Sequence, residues 1–295
     1  MIDVYYSPDM CSQETRSPSA KKPAAVAKAL MNASFNVEFH APNPLRPEDF
    51  HVAHDPKYVA GVLSLRIANG FGTRSDDVAR SLAYTNGAML DAARWALLTG
   101  RNTAALCSGF HHAGYFGGGG FCTFNGLMVT ALTLLNKGAV KKIAIIDCDQ
   151  HYGDGTDDIL RHVSPALARG IFHLTLGEYF STPREAALYL SVMRGLPTIL
   201  SEEKPDLILY QAGADAHRDD PLGGVLSTPG MYMRDLYLFE AAQQTGIPVA
   251  WNLAGGYQEE PDGTIPKVVA LHLATFEAAR RSDRASELAR AMGIG

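Results

Sequence analysis

Short apolar runs alternate along this chain with longer stretches whose apolar residues recur every three to four positions. Ile143-Ala144-Ile145-Ile146 is apolar without a break, which predicts a strand over residues 142–147 buried on both faces. Shorter runs predict further strands at residues 4–6, 36–40, 103–107, 171–176, 206–210 and 248–253. The helical period appears at residues 20–32, with Pro23 in the first turn, and at residues 81–99, stopped by Gly100. It recurs at residues 124–136, ahead of Gly138, and at 231–244, ahead of Gly246. Apolar strands alternating with helices predict an α/β fold, a central and mostly parallel sheet flanked by helices on both faces. No repeat, low-complexity tract or linker divides the chain, so one domain is expected over residues 1–295.

The polar clusters follow the strands. Gly109-Phe110-His111-His112, Asp147-Cys148-Asp149-Gln150-His151, Gly213-Ala214-Asp215 and Gly255-Gly256-Tyr257 each come just after a predicted strand. In open parallel sheets ligands bind beyond the carboxyl ends of the strands, so the four clusters are expected to meet at one edge. Asp149 and His151 lie two apart at a strand end, where alternation points both to one side. With Asp215 they offer three N/O ligands and an open position, the pattern of a catalytic zinc site. Asp147 and Asp154 stand close enough to hydrogen-bond a histidine and fix its tautomer. Tyr257, after two glycines, is free to swing a phenol toward a substrate carbonyl. The run Gly117-Gly118-Gly119-Gly120 lacks a following Gly-Lys-Ser/Thr, so it reads as close backbone approach to a narrow channel walled by Phe121. The remaining histidines, His40, His51, His54, His162, His173 and His272, read as surface, turn or satisfied core residues.

Composition sharpens this picture at a few points. With 46% hydrophobic and 19% charged residues the chain can fill a large core. A net charge of −5 without a basic block argues against a nucleic-acid partner and suits a cationic one such as a polyamine. No apolar run approaches the roughly 18–20 residues of a membrane span, and the first residues do not read as a leader. Four cysteines without Cys-x-x-Cys spacing favour neither a zinc knuckle nor disulfides, so a reducing cytoplasm is expected.

Taken together these motifs resemble the histone deacetylase family. The likeness runs from His54-Asp55-Pro56-x-Tyr58-Val59 through His111-His112, Gly120-Phe121-Cys122 with Phe124-Asn125, Asp147 to Gly155, and Gly213 to Gly223, to Gly255-Gly256-Tyr257. The Asp215–Gly223 stretch is most similar to the class II and bacterial branch, which includes acetylpolyamine amidohydrolases. The resemblance implies an arginase/deacetylase-like α/β domain and one Zn2+ held by Asp149, His151 and Asp215. It implies that His111 and His112 pair with Asp147 and Asp154, and that Tyr257 polarises the substrate carbonyl. It also implies a K+ ion near Asp147, Asp149, His151 and the Thr175-Leu176 segment. Gly120, Phe121, Phe180 (or Tyr179 in its place) and Leu222 would line the substrate tunnel. The expected reaction removes an acetyl group from acetyl-lysine or an acetylated polyamine; a non-catalytic binder of acylated amines and a dinuclear arginase-like hydrolase are the alternatives. Departures fall at Ser17 to Pro23, where a His-Pro-Glu-Arg-like stretch is usual, and at Tyr152 and Gly177, where histidines are common. They bear on substrate choice more than on chemistry.

Overall fold

The computed structural model describes residues 1–291 apart from Thr15 and Ser34, with side chains of the final helix described as far as Asp283. Residues 292–295 of the expected domain lie outside the described residues. In chain order the elements are β1 (Ile2–Tyr5), α1 (Lys22–Asn32), β2 (Val37–His40), α2 (Pro56–Leu63), α3 (Asp76–Thr99), β3 (Thr103–Ala105), α4 (Gly126–Asn136), β4 (Ile143–Asp147), α5 (Asp154–His162), α6 (Pro165–Arg169), β5 (Ile171–Thr175), α7 (Ala186–Arg194), α8 (Leu196–Glu203), β6 (Leu207–Gln211), α9 (Thr228–Thr245), β7 (Val249–Asn252) and α10 (Pro266–Ala291).

The seven strands form one sheet in the order β2-β1-β3-β7-β6-β4-β5, and every pairing is parallel. The doubly buried reading of β4 holds at each residue. Ile143 and Ile145 face one hydrophobic cluster, with α2, α3 and α4, while Ala144 and Ile146 face the other, with α1, α7, α8, α9 and α10. Two apolar layers of helices thus clamp the sheet, and the only chemically free surface of a central strand is its end.

Boundaries differ from the sequence expectation where capping decides. The third helix starts at Asp76 rather than 81, because Ser75 caps it by accepting from the Val78 N–H at 3.2 Å and two aspartates fill its first turn. The first helix starts at Lys22 rather than residue 20, because a 3-10 turn capped by Ser17 occupies Pro18–Ala20. Helices α2, α5, α6, α7, α8 and α10 add to those predicted. No helix of the described residues is long and apolar enough to cross a membrane.

Candidate active site

The four predicted clusters extend from β3, β7, β6 and β4, which are consecutive neighbours at the middle of the sheet. This adjacency brings together residues more than a hundred positions apart. Strand β4 ends at Asp147, so Asp149 and His151 sit in the loop beyond it, not on the strand. What aligns them is hydrogen bonding. The Asp147 carboxylate accepts from the Asp149 N–H (3.1 Å), and Asp149 accepts from the His151 N–H (3.1 Å) and the Gly255 N–H (2.8 Å). Asp215 accepts from the Gln150 N–H at 3.0 Å. Cys148 points into the core between them.

His151 Nδ1 lies 3.1 Å from Asp149 Oδ1 and 3.2 Å from Asp215 Oδ2. One ligand atom of each of the three residues lies within 4.8 Å of the others. Zinc bonds of about 2.0–2.2 Å at tetrahedral angles place neighbouring ligand atoms roughly 3.3 Å apart, close to the two separations from His151 Nδ1. Asp215 Oδ2 is buried without a hydrogen bond, an atom with one coordination place unused. The Asp149 carboxylate, which accepts from His151, and the Asp215 carboxylate beside it push His151 up to about 11. Burial, reinforced by the Asp149 charge, lifts Asp215 above the usual carboxylate range; Asp149 itself is held well below it, because the His111 charge and the His151 hydrogen bond overcome its burial. Two carboxylates thus face each other in one dry site, the arrangement a divalent cation relieves.

The tandem histidines follow β3 through a tight turn. His111 Nδ1 is 2.7 Å from Asp147 and His112 Nδ1 is 2.6 Å from Asp154, with ring centroids 4.1 Å apart. Burial alone would strip His111 of its proton, but the charges of Asp147 and Asp149 outweigh it and lift His111 to about 9. His112 moves down instead, through burial and the positive charge of His111. Two glycines make this packing possible. A Cβ on Gly155 would sit 2.5 to 2.6 Å from the backbone of His111, His112 and Ala113, and a Cβ on Gly120 would strike the His112 ring.

Tyr257 is half-buried, its ring centroid 5.7 Å from Phe121 and 6.5 Å from His151. Burial, then the charges of Asp149 and Asp215, push its hydroxyl well above the ordinary tyrosine value, so it remains a proton donor. Phe121 holds a left-handed φ of 64°, and its ring centroid lies 5.7 Å from that of Phe71. Gly120 and Leu222 are exposed, and Leu222 donates its N–H to Asp220 at 3.0 Å. Phe180 requires a correction. Its ring is buried in the core against Tyr189, 5.4 Å between centroids, while the neighbouring Tyr179 is exposed. The 3-10 turn Leu176–Glu178 that follows β5 rotates the aromatic pair so that Phe180 fills the core. Thr175, from the expected potassium segment, accepts from the Gly153 N–H at 3.0 Å, beside the Asp147 carboxylate.

Two contributors were not singled out from the sequence. Asp220 is buried and accepts from the Tyr257 N–H at 2.7 Å, fixing the backbone that carries the phenol. Lys22 is fully buried, donates to the Ala254 carbonyl and stands 5.8 Å over the Tyr257 ring. Burial brings it down to about 8 against the charges of Asp215, Asp149 and Asp220. Asp220 lay inside a recognisable motif, but its target 37 residues away has no spacing signal; Lys22 falls in the Ser17–Pro23 stretch, which departs from the family pattern.

Comparison with known proteins shows the family. The model of the histone deacetylase domain matches residues 17–184 and 179–274. The chain belongs to the histone deacetylase family. An uncharacterized protein of Picosynechococcus sp. is 32% identical over 76% of this chain and 80% of its own. A Methanothermobacter thermautotrophicus protein named "Probable deacetylase" is 27% identical over 88% and 87%. The crystal structure of an acetylpolyamine aminohydrolase from Burkholderia pseudomallei superposes with a TM-score of 0.75 at 17% identity, covering 95% of this chain and 98% of that one, which shows the shared fold.

Proposed function

We propose that this deacetylase-family hydrolase is a zinc-dependent amidohydrolase that removes the acetyl group from acetyl-lysine or an acetylated polyamine. The observation that carries the reading is the convergence of Asp149, His151 and Asp215 beside two histidines driven to opposite protonation states. Zinc held by these three ligands would polarise the acetyl carbonyl and acidify a water.

The chain's own groups would do the rest. His112, its Nδ1 held by Asp154, is the neutral imidazole able to take the water's proton at Nε2 and return it to the leaving amine. His111, charged and held by Asp147, contributes a fixed positive charge next to the developing negative one. Tyr257 donates its hydroxyl hydrogen to the carbonyl oxygen as charge builds there. Phe121, its ring centroid 5.7 Å from that of Tyr257, would shield the phenol from water. A potassium ion near Asp147, Asp149, His151 and Thr175 belongs to the same reading and is checked by the dependence of thermal stability on K+ against Na+.

Acetate release by zinc-reconstituted protein, measured in parallel on an acetyl-lysine peptide and an acetylated polyamine, tests the function. Turnover of either supports it, and the ratio of kcat/KM chooses the substrate. Stoichiometric zinc with no release from either substrate would favour a binding protein for acylated amines.

A further inference from the structure

Arg234 of α9 is 1% exposed and belongs to no motif identified in the sequence. A buried guanidinium is costly unless its donors are satisfied in good geometry. Here Nε donates to Asp235 Oδ1 at 2.7 Å, and Nη1 donates to the carbonyl oxygens of Cys148 at 3.1 Å and Gly213 at 2.6 Å. Asp235 is held in turn by the hydroxyl of Tyr210 on β6 and by that of Thr275 on α10, the latter at 2.6 Å. The two carbonyls belong to the segments that carry the candidate metal ligands. Cys148 precedes Asp149, and Gly213 lies two residues before Asp215.

These segments have left the sheet. Strands β4 and β6 pair as far as Asp147 and Gln211, and one further bond joins the Cys148 N–H to the Gln211 carbonyl at 3.0 Å. Beyond it the two chains press together directly. A Cβ on Gly213 would sit 2.6 Å from both Asp149 Cα and Asp215 Oδ1. At this point the guanidinium bridges one carbonyl from each chain and ties both to a helix packed by α8 and α10.

We infer that Arg234 is a positioning residue for the metal site, setting the separation of Asp149 and Asp215 by clamping the Cys148 and Gly213 carbonyls. The inference rests on the zinc reading of that site. Arginine suits the task because its planar fork presents several donors in fixed geometry, whereas lysine offers a compact point charge on a flexible stem. A buried ion pair is weak evidence for stability in itself, so its value here lies in geometry.

The test uses the full chain with Arg234→Lys, Arg234→Met and the double variant Arg234→Met/Asp235→Asn. Three quantities are read: zinc affinity by chelator competition, the absorption bands of the cobalt-substituted protein, and the melting temperature of the metal-free protein. Arg234→Lys keeps the charge but not the fork. It should weaken zinc binding about 10- to 100-fold, the effect typical of losing a group that orients metal ligands, and shift the cobalt bands. The double variant removes the unpaired Asp235 charge, so it should melt closer to wild type than Arg234→Met does and still bind zinc weakly. Zinc affinity within threefold of wild type in Arg234→Lys, with unchanged cobalt bands, overturns the inference. So does a double variant that regains stability and affinity together, since charge balance then explains both. If Arg234→Lys does not fold, the double variant decides alone. Failure of the wild-type protein to bind zinc or cobalt overturns the functional reading and this inference with it.

Discussion

Replacing Tyr257 by phenylalanine separates chemistry from structure in this site. Among the described residues the Tyr257 hydroxyl has no hydrogen-bond partner, so the change strands no buried group. The ring remains held by Phe121 at 5.7 Å, and the backbone by Asp220 at 2.7 Å. The fold should therefore lose less than about 1 kcal/mol. Zinc content should not change, because Tyr257 is not one of the three converging ligands. The transition state loses one preorganised donor in a dry site, an effect of roughly 10²–10³ in kcat, or about 2.7–4 kcal/mol. Because the hydroxyl matters most as charge develops, kcat should fall while KM moves only a few-fold. The assay is steady-state acetate release with zinc content measured on the same samples and melting curves alongside. A kcat within threefold of wild type, or a loss that tracks missing zinc, would refute the role given to Tyr257.

Three other outcomes follow from the same structure. Asp149→Ala and Asp215→Ala should each abolish stoichiometric zinc binding in equilibrium dialysis, and full retention by either variant would contradict its assignment as a ligand. His54 is buried between the Gly114 carbonyl and the Asn125 N–H, both at 2.8 Å, and burial lowers it to about 4 from an unfolded value near 6.5. Below 6.5 the unfolded chain binds the proton that the folded chain refuses, so stability falls as pH drops from 6.5 toward 4, by roughly 3 kcal/mol in all; urea titrations across that range should show the slope, and His54→Gln should flatten it. Gly155→Ala forces a methyl into the backbone of the tandem histidines, so kcat should drop at least tenfold with zinc still bound, and a fully active variant would show that the α5 contact is not needed.

Much of this was legible because the sheet is parallel and doubly buried. An apolar run such as residues 143–146 locates a strand, and in such a fold the polar residues after the run must lie at the functional edge. What could not be read is contact at a distance. Phe180 and Tyr179 are adjacent aromatics after β5, and only the intervening 3-10 turn decides which fills the core. Asp220 acts on a backbone N–H, which leaves no trace in residue type at position 257. Arg234 carries no sequence sign of burial; α9 is packed by α7, α8 and α10, so its buried sector is wider than one stripe.

The two histidine–aspartate pairs show how burial, rather than residue identity, assigns roles. The pairs have nearly the same length, 2.7 Å for His111–Asp147 and 2.6 Å for His112–Asp154. Yet the Asp147 side chain is fully buried, while that of Asp154 is 61% exposed. A charge enclosed by protein acts on its neighbour with little screening, and the same charge facing water acts weakly. Asp154 is also the first residue of α5, where its charge is shared with the helix N-terminus. The buried pair therefore fixes a proton on His111, and that proton's charge helps keep His112 neutral. Adjacent histidines with equal environments would compete for one proton; here the difference in depth settles the competition before a substrate arrives. In the proposed mechanism these two states serve as the fixed cation and the base.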